Sequence, residues 1–282
     1  MIYPPIAGLD VTTHADSGGN TVLAIQVPAS EDAPHLIRGK NSHLFGAPWR
    51  NGPDTAWMVE RQLEDAYRSR TDQRRQRDGD LDELLADATA TYARDGEGWL
   101  FIVAKPTRSR PARLRMPMST AHYVLEKTWQ RSTSDSGVQT PAWMLAGVDI
   151  RSGLRRFRQV TPYDPSGPQP RGVAELHHDG SVAFAMTRGQ NFGHHQSHPW
   201  SGPALATTDI DYACEAFFHL LALVREQLAM SCEYNLKLTV TPAHTAFRPR
   251  ARDRGSFGPV PPQPHTPHFL TVGATIPLEL GL

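Results

Sequence analysis

Between Thr208 and Met230 the chain repeats Ala213, Cys214, Phe217, Phe218, Leu221, Val224 and Leu228 at helical spacing. At 3.6 residues per turn these side chains cover one wide apolar arc, so the segment is a helix that packs on a sheet rather than lying in solvent. The rest of the chain must supply that sheet. Gly172–Leu176 and Ser181–Thr187 flank His177-His178-Asp179-Gly180, in which the Asp-Gly pair marks a hairpin turn. Trp99–Ala104 is an unbroken apolar run that reads as a buried strand. Leu236–Val240 and Phe269–Val272 offer further strands, separated by the Arg- and Pro-rich loop Phe247–Pro267.

Towards the N-terminus the pattern changes. Gly8–Thr13 and Thr21–Val27 are β-rich, and Asp16-Ser17-Gly18-Gly19-Asn20 between them tolerates positive φ, which spells another hairpin. Ser42–Phe45 offers a short third strand. Thr55 is placed as the N-cap of a helix that carries Trp57, Met58, Leu63 and Tyr67 and runs to about Arg70. Arg68–Gly79 is nearly free of apolar residues and reads as a linker or a solvated helix extension, so a domain boundary falls there. Asp80–Arg94 is a second amphipathic helix, stopped by Gly96 and Gly98. Ser119–Arg131 is a third, followed by a disorder-like Ser132–Thr140. The fold class is α+β: a partial hairpin-plus-helix domain over residues 1–75, then a domain over 79–282 with antiparallel hairpins and one long buried helix.

Composition narrows the function classes. The 282 residues carry 29 bases against 29 acids, so any nucleic-acid footprint is local rather than global. The 24 prolines and 22 glycines call for long loops. Only Cys214 and Cys232 occur, which excludes a disulfide framework and favours a reducing, cytoplasmic setting. No apolar run reaches the roughly 20 residues of a membrane helix, and MIYPPIAGLD has no secretory pattern. Membrane partners and cofactors are not expected. Gly39-Lys40-Asn41-Ser42 lacks the first glycine of a phosphate-binding loop, and no nucleophile elbow or dinucleotide fingerprint occurs.

The segment from Val27 to Arg70 carries a more specific order of features. A strand ends in Val27-Pro28-x-Ser30. Pro34-His35 follows, then an aromatic before Arg50-x-Gly52, then Thr55 and a helix bearing Trp57, Met58 and Arg70. In this order the segment resembles the divergent AlbA-like DNA-binding domain shared by Schlafen proteins and many bacterial regulators. The resemblance covers about residues 1–75 and matches the C-terminal part of that domain, the family's first part being expected to be missing. The metal-binding carboxylates of RNA-cleaving Schlafen members sit in that first part, so no nuclease site transfers to this chain. What the resemblance implies is a non-catalytic, regulatory nucleic-acid-binding protein of bacterial type, with DNA the expected partner ahead of RNA.

The site residues are then Ser30, His35, Arg38, Lys40, Arg50, Asn51, Thr55 and Arg70. Cations and neutral donors in this mixture suit phosphate oxygens. Each also has a plain structural role open to it: Ser30 capping its loop, His35 closing the loop through a backbone hydrogen bond, Arg50 pairing with Glu60 or Glu64, and Thr55 acting only as a cap. Basic runs recur at Lys105–Arg115, Arg151–Arg158 and Arg248–Arg254, where they matter only if folding brings them together. Two other classes stay open. One is a structural or homo-oligomerisation module built on exposed strand edges. The other is a metal-dependent hydrolase or metal-binding protein using His177, His178, His194, His195 and His198, although Gly193 and Pro199 oppose a helix that would align His194 with His198.

Overall fold

The computed structural model describes residues 2–6, 10–15, 18, 20–27, 30, 32–38, 45–111, 114–134, 144–162, 170–187, 203–248 and 271–276. The chain divides into two compact units, Met1–Gly79 and Asp80–Leu282.

The first unit is built from short strands. They are β1 (Ile2–Tyr3), β2 (Asp10–Ala15), β3 (Thr21–Gln26), β4 (Leu36–Arg38), β5 (Phe45–Gly46), β6 (Pro48–Asn51) and β7 (Asp54–Trp57). β2 and β3 form the expected hairpin, in register from Asp10 opposite Gln26 to Ala15 opposite Thr21. β1, β4 and β5 make a three-stranded antiparallel sheet. β6 and β7 form a second hairpin, turned through Gly52 and Pro53, with Gly52 at a φ of 63° that a Cβ would disfavour. Thr55 therefore lies in a strand and caps no helix, a correction to its expected role.

The helix that follows is α1 (Glu60–Tyr92), a single element of 33 residues. It joins the two expected helices through Arg68–Gly79, which takes the solvated-helix alternative rather than the linker. The polar segment has no proline, and the Glu64–Arg68 pair lies one turn apart at 2.7 Å, so it continues the helix although it offers no apolar stripe. The buried residues of α1 are Leu81, Ala88 and Tyr92, all beyond the division between the units.

The second unit centres on a seven-stranded, wholly antiparallel sheet. Its elements in chain order are β8 (Trp99–Pro106), α2 (Met118–Ser134), β9 (Ile150–Ser152), β10 (Arg156–Val160), β11 (Arg171–His177), β12 (Val182–Thr187), β13 (Ala204–Ala206), α3 (Thr207–Gln227), β14 (Tyr234–Thr241), β15 (Ala246–Arg248) and β16 (Thr271–Ile276). The spatial order is β16-β14-β8-β12-β11-β10-β9, and β13 pairs with β15 in a separate parallel ladder. Strand alternation divides the core in two. Leu100, Ile102 and Ala104 join Val182, Phe184 and Met186 beneath α2 and α3, where Phe217, Leu221 and Val224 supply the arc read from the sequence. On the opposite face Trp99, Phe101, Val173 and Ala185 pack with Ala88 and Tyr92 of α1, and Val103 and Ala183 pack with Leu81. Each large side chain so buried contributes roughly 1.5–3 kcal/mol.

Local chemistry sets the ends of these elements. Gly180, at a φ of 95°, closes the Asp-Gly hairpin, and the Asp179 carboxylate accepts from the Ser181 N–H at 2.9 Å. α3 ends in a left-handed residue that is not glycine: Ala229 has a φ of 51°, and the Met230 N–H returns to the Arg225 carbonyl at 2.9 Å. Of the expected strand at Phe269–Val272, Phe269 and Leu270 lie outside the described residues, and the strand runs from Thr271 on to Ile276; the helix expected to end at Arg131 continues to Ser134.

Candidate functional sites

In the first unit the structure assigns most of the expected site residues to definite partners. The Ser30 Oγ accepts the Asp32 N–H at 3.1 Å, and the His35 imidazole donates from Nδ1 to the Pro4 carbonyl at 2.6 Å. Arg70 donates to the Asp32 carboxylate at 2.5 Å and to its carbonyl at 3.2 Å, while Arg74 reaches the same carboxylate oxygen at 2.8 Å. One carboxylate thus holds two guanidinium groups of α1. Lys40 lies outside the described residues.

Arg50, Asn51 and Thr55 come together on the β6–β7 hairpin. Arg50 stands opposite Thr55 and donates to its Oγ1 at 3.3 Å, so it pairs with neither Glu60 nor Glu64. Asn51 stands opposite Asp54 at the turn. Alternation puts Pro48, Arg50, Thr55 and Trp57 on one face and Trp49, Asn51, Asp54 and Ala56 on the other. Trp57 is 57% exposed, although its ring lies so close over Gly46 that a Cβ there would come within 2.7 Å of it. Phe45, also exposed, is paired directly with the exposed Arg38 across β4 and β5. These two cation–aromatic juxtapositions are the part of the site that sequence reasoning missed. The signal for the first was the Trp-x-Asn-Gly-x-x-x-x-Trp spacing, which is that of a tight hairpin.

In the second unit polar groups gather under α1. Glu175 of β11 is completely buried, and its carboxylate accepts from the Tyr92 hydroxyl, from Arg156 Nη1 at 3.1 Å and from His177 Nε2 at 3.3 Å. Arg156 also pairs with Asp87 of α1 at 2.5 Å. Burial alone would push the Glu175 carboxyl up, but the hydrogen bonds from His177 and Tyr92 and the positive charge of Arg156 outweigh it and hold it below the ordinary value. Burial and the adjacent carboxylate push the Tyr92 hydroxyl well above its ordinary value. Nearby, Glu97 accepts from Arg171 and from Trp99 Nε1 at 3.0 Å, and the Arg171 guanidinium lies 5.1 Å from the Trp99 ring centroid. Each member of these networks has its partner, which marks the first as a structural tie between α1 and the sheet and the second as a tie between the segment after α1 and the sheet.

His177 is committed to Glu175, and the His178 and Phe157 rings meet at 75° with their centroids 5.2 Å apart. His194, His195 and His198 lie outside the described residues. Among the described residues no group of three or more His, Cys, Asp or Glu is placed to hold a metal ion, and no helix is long and apolar enough to cross a membrane. No family model, curated protein or solved structure matches the chain.

Proposed function

We propose that the first unit binds nucleic acid without catalysis, laying a single strand across the β6–β7 hairpin and the adjoining β4–β5 edge. The observation that carries this reading is Arg50, held by Thr55 on the same face as the exposed Trp57. An exposed indole offers a stacking platform to any base, worth about 1–3 kcal/mol, and a cation beside it meets the phosphate. Arg38 opposite Phe45 repeats the combination. The divergent AlbA-like resemblance agrees with this partner, DNA ahead of RNA. Fluorescence anisotropy with single-stranded DNA, duplex DNA and RNA at several salt concentrations tests it. Affinity should fall linearly in log salt, and Trp57→Ala should weaken single-strand binding by roughly tenfold, the equivalent of about 1.4 kcal/mol. Failure to bind any of the three at low salt would end the proposal.

A second reading rests on the β2–β3 hairpin. Val11, Val22, Leu23 and Ile25 are all exposed on it, and among the described residues neither strand has a further neighbour. An isolated hairpin is marginal in water, and apolar strands with open edges pair with other chains. On this reading the hairpin is an assembly element. Sedimentation at increasing concentration should then show a mass above the monomer that Leu23→Lys abolishes; a constant monomer mass up to about 100 times the lowest concentration would exclude it.

A further inference from the structure

Parts of two basic runs of the second unit, Lys105–Arg115 and Arg151–Arg158, meet at one end of its sheet, while Arg250, Arg252 and Arg254 of the third lie outside the described residues. Three backbone segments converge there. The Arg110 N–H donates to the Asp179 carbonyl at 2.9 Å, which ties the loop after β8 to the β11–β12 turn. The His178 N–H donates to the Arg155 carbonyl at 3.0 Å, which ties the same turn to the β9–β10 turn. The Thr107 N–H reaches the Glu233 carbonyl at 2.9 Å and fixes the base of the loop. The backbones of Arg110 from the first run and Arg155 from the second are thereby brought to the turn that carries His178, and Arg110 and Arg115 are close enough to act on its charge.

Two acids share this end of the sheet. The Asp179 carboxylate is engaged by the Ser181 N–H at 2.9 Å and the Ser181 hydroxyl at 3.0 Å, and Glu233 is exposed. Arg156, by contrast, is consumed by Asp87 and Glu175 and does not join the group. The Arg110 side chain braces its own loop by donating to the Leu114 carbonyl at 2.9 Å, while Arg115 and Arg155 are exposed. The His178 Nδ1 is buried with no hydrogen-bond partner. Burial first, and then the positive charges of Arg115, His177 and Arg110, lower the tendency of His178 to take up a proton, against the opposing effect of Asp179. Arginines carried on adjoining loops are what binds a phosphate dianion or a phosphodiester chain.

We propose that Arg110, Arg115, Arg155 and His178 form a phosphate-binding site on the second unit, in addition to the site proposed on the β6–β7 hairpin. The phosphate is carried either on a nucleic-acid chain or on a small phosphorylated molecule, because the recognising chemistry is the same. The imidazole of His178, held against Phe157, is a built-in reporter.

The test is histidine-detected NMR on the full chain, titrated in one arm with pyrophosphate and in the other with a short single-stranded oligonucleotide. The expected result is a saturable shift of the His178 signals, with Arg115→Glu and Arg155→Glu together raising the dissociation constant at least tenfold. A response to pyrophosphate identifies a small-molecule site; a response to the oligonucleotide alone identifies a nucleic-acid contact. Arg50→Ala and Trp57→Ala should leave the His178 response unchanged, so loss of hairpin binding and loss of this site are read separately. No saturable shift with either probe up to about 10 mM overturns the proposal. So does an unaltered dissociation constant in the double variant when its thermal melt matches the wild type.

Discussion

Tyr92→Phe isolates one hydrogen bond in the second unit. The phenylalanine ring keeps the packing of Tyr92 with Trp99, Phe101, Val173 and Ala185, so no cavity forms and the change is confined to the hydroxyl. That hydroxyl donates to the fully buried Glu175 carboxylate, whose other donors, Arg156 and His177, stand at 3.1 and 3.3 Å. A hydrogen bond to a charged group contributes about 1.5–3 kcal/mol, and the length of the two remaining contacts places the loss toward the upper part of that range. For a unit of this size each kcal/mol lowers the melting temperature by about 2–4 °C, so a fall of roughly 4–10 °C is expected. Urea denaturation of the wild type, Tyr92→Phe, Glu175→Leu and the double variant should give a coupling energy above about 1 kcal/mol. The pH dependence adds a second readout. Because the folded-state value of Tyr92 lies above its ordinary 10.0, its contribution is complete below about pH 10 and declines as pH rises beyond it. Because that of Glu175 lies below its ordinary 4.5, its contribution is present above that value and declines as pH falls below it. Tyr92→Phe should reduce the alkaline loss, to which the buried Tyr234 hydroxyl, also raised by burial, still contributes, and leave the acid limb in place. A variant within about 0.5 kcal/mol of wild type, melting with an unchanged alkaline limb, would refute the network as a tie between α1 and the sheet.

Three further outcomes follow from local geometry. Ala229→Gly should stabilise the C-terminus of α3 by about 0.5–1 kcal/mol, because the exposed Ala229 holds a φ of 51°; a lower melting temperature would count against that geometry. Gly79→Ala should raise helicity at 222 nm and stabilise α1 by up to about 1 kcal/mol, since a Cβ there meets nothing within 4 Å, and reduced helicity would contradict a continuous helix. Asp32→Ala releases Arg70 and Arg74, so single-stranded DNA should bind more tightly, with a salt slope steeper by about 0.7 for each guanidinium that reaches a phosphate; an unchanged slope would place both outside the contact.

The elements legible in the sequence were those whose signal is local. Asp179-Gly180 announced its hairpin because the left-handed φ it needs is a property of the residue itself, and Phe217, Leu221 and Val224 announced α3 because their spacing matches a helical turn. The continuity of α1 was left undecided between helix and linker because Arg68–Gly79 is held by polar pairs and intrinsic propensity, neither of which leaves an apolar period. Thr55 was misread because a hydroxyl before an apolar pair suits an N-cap as well as a strand, and only its pairing with Arg50 across the Gly52-Pro53 turn decides between them. The Tyr92–Glu175–Arg156 network was out of reach, since its members lie on elements far apart in the chain and meet only once the sheet forms.

The order β14-β8-β12 at the centre of the sheet has a consequence for biosynthesis. β8 is the first strand of its sheet to be made, and it is apolar on both faces, yet both of its neighbours belong to the second half of the chain. Contacts of such wide sequence separation close slowly. During translation Trp99–Ala104 therefore leaves the ribosome as an unpaired, aggregation-prone strand and stays so until β12 has followed it, which makes the nascent chain a client for any factor that shields apolar segments.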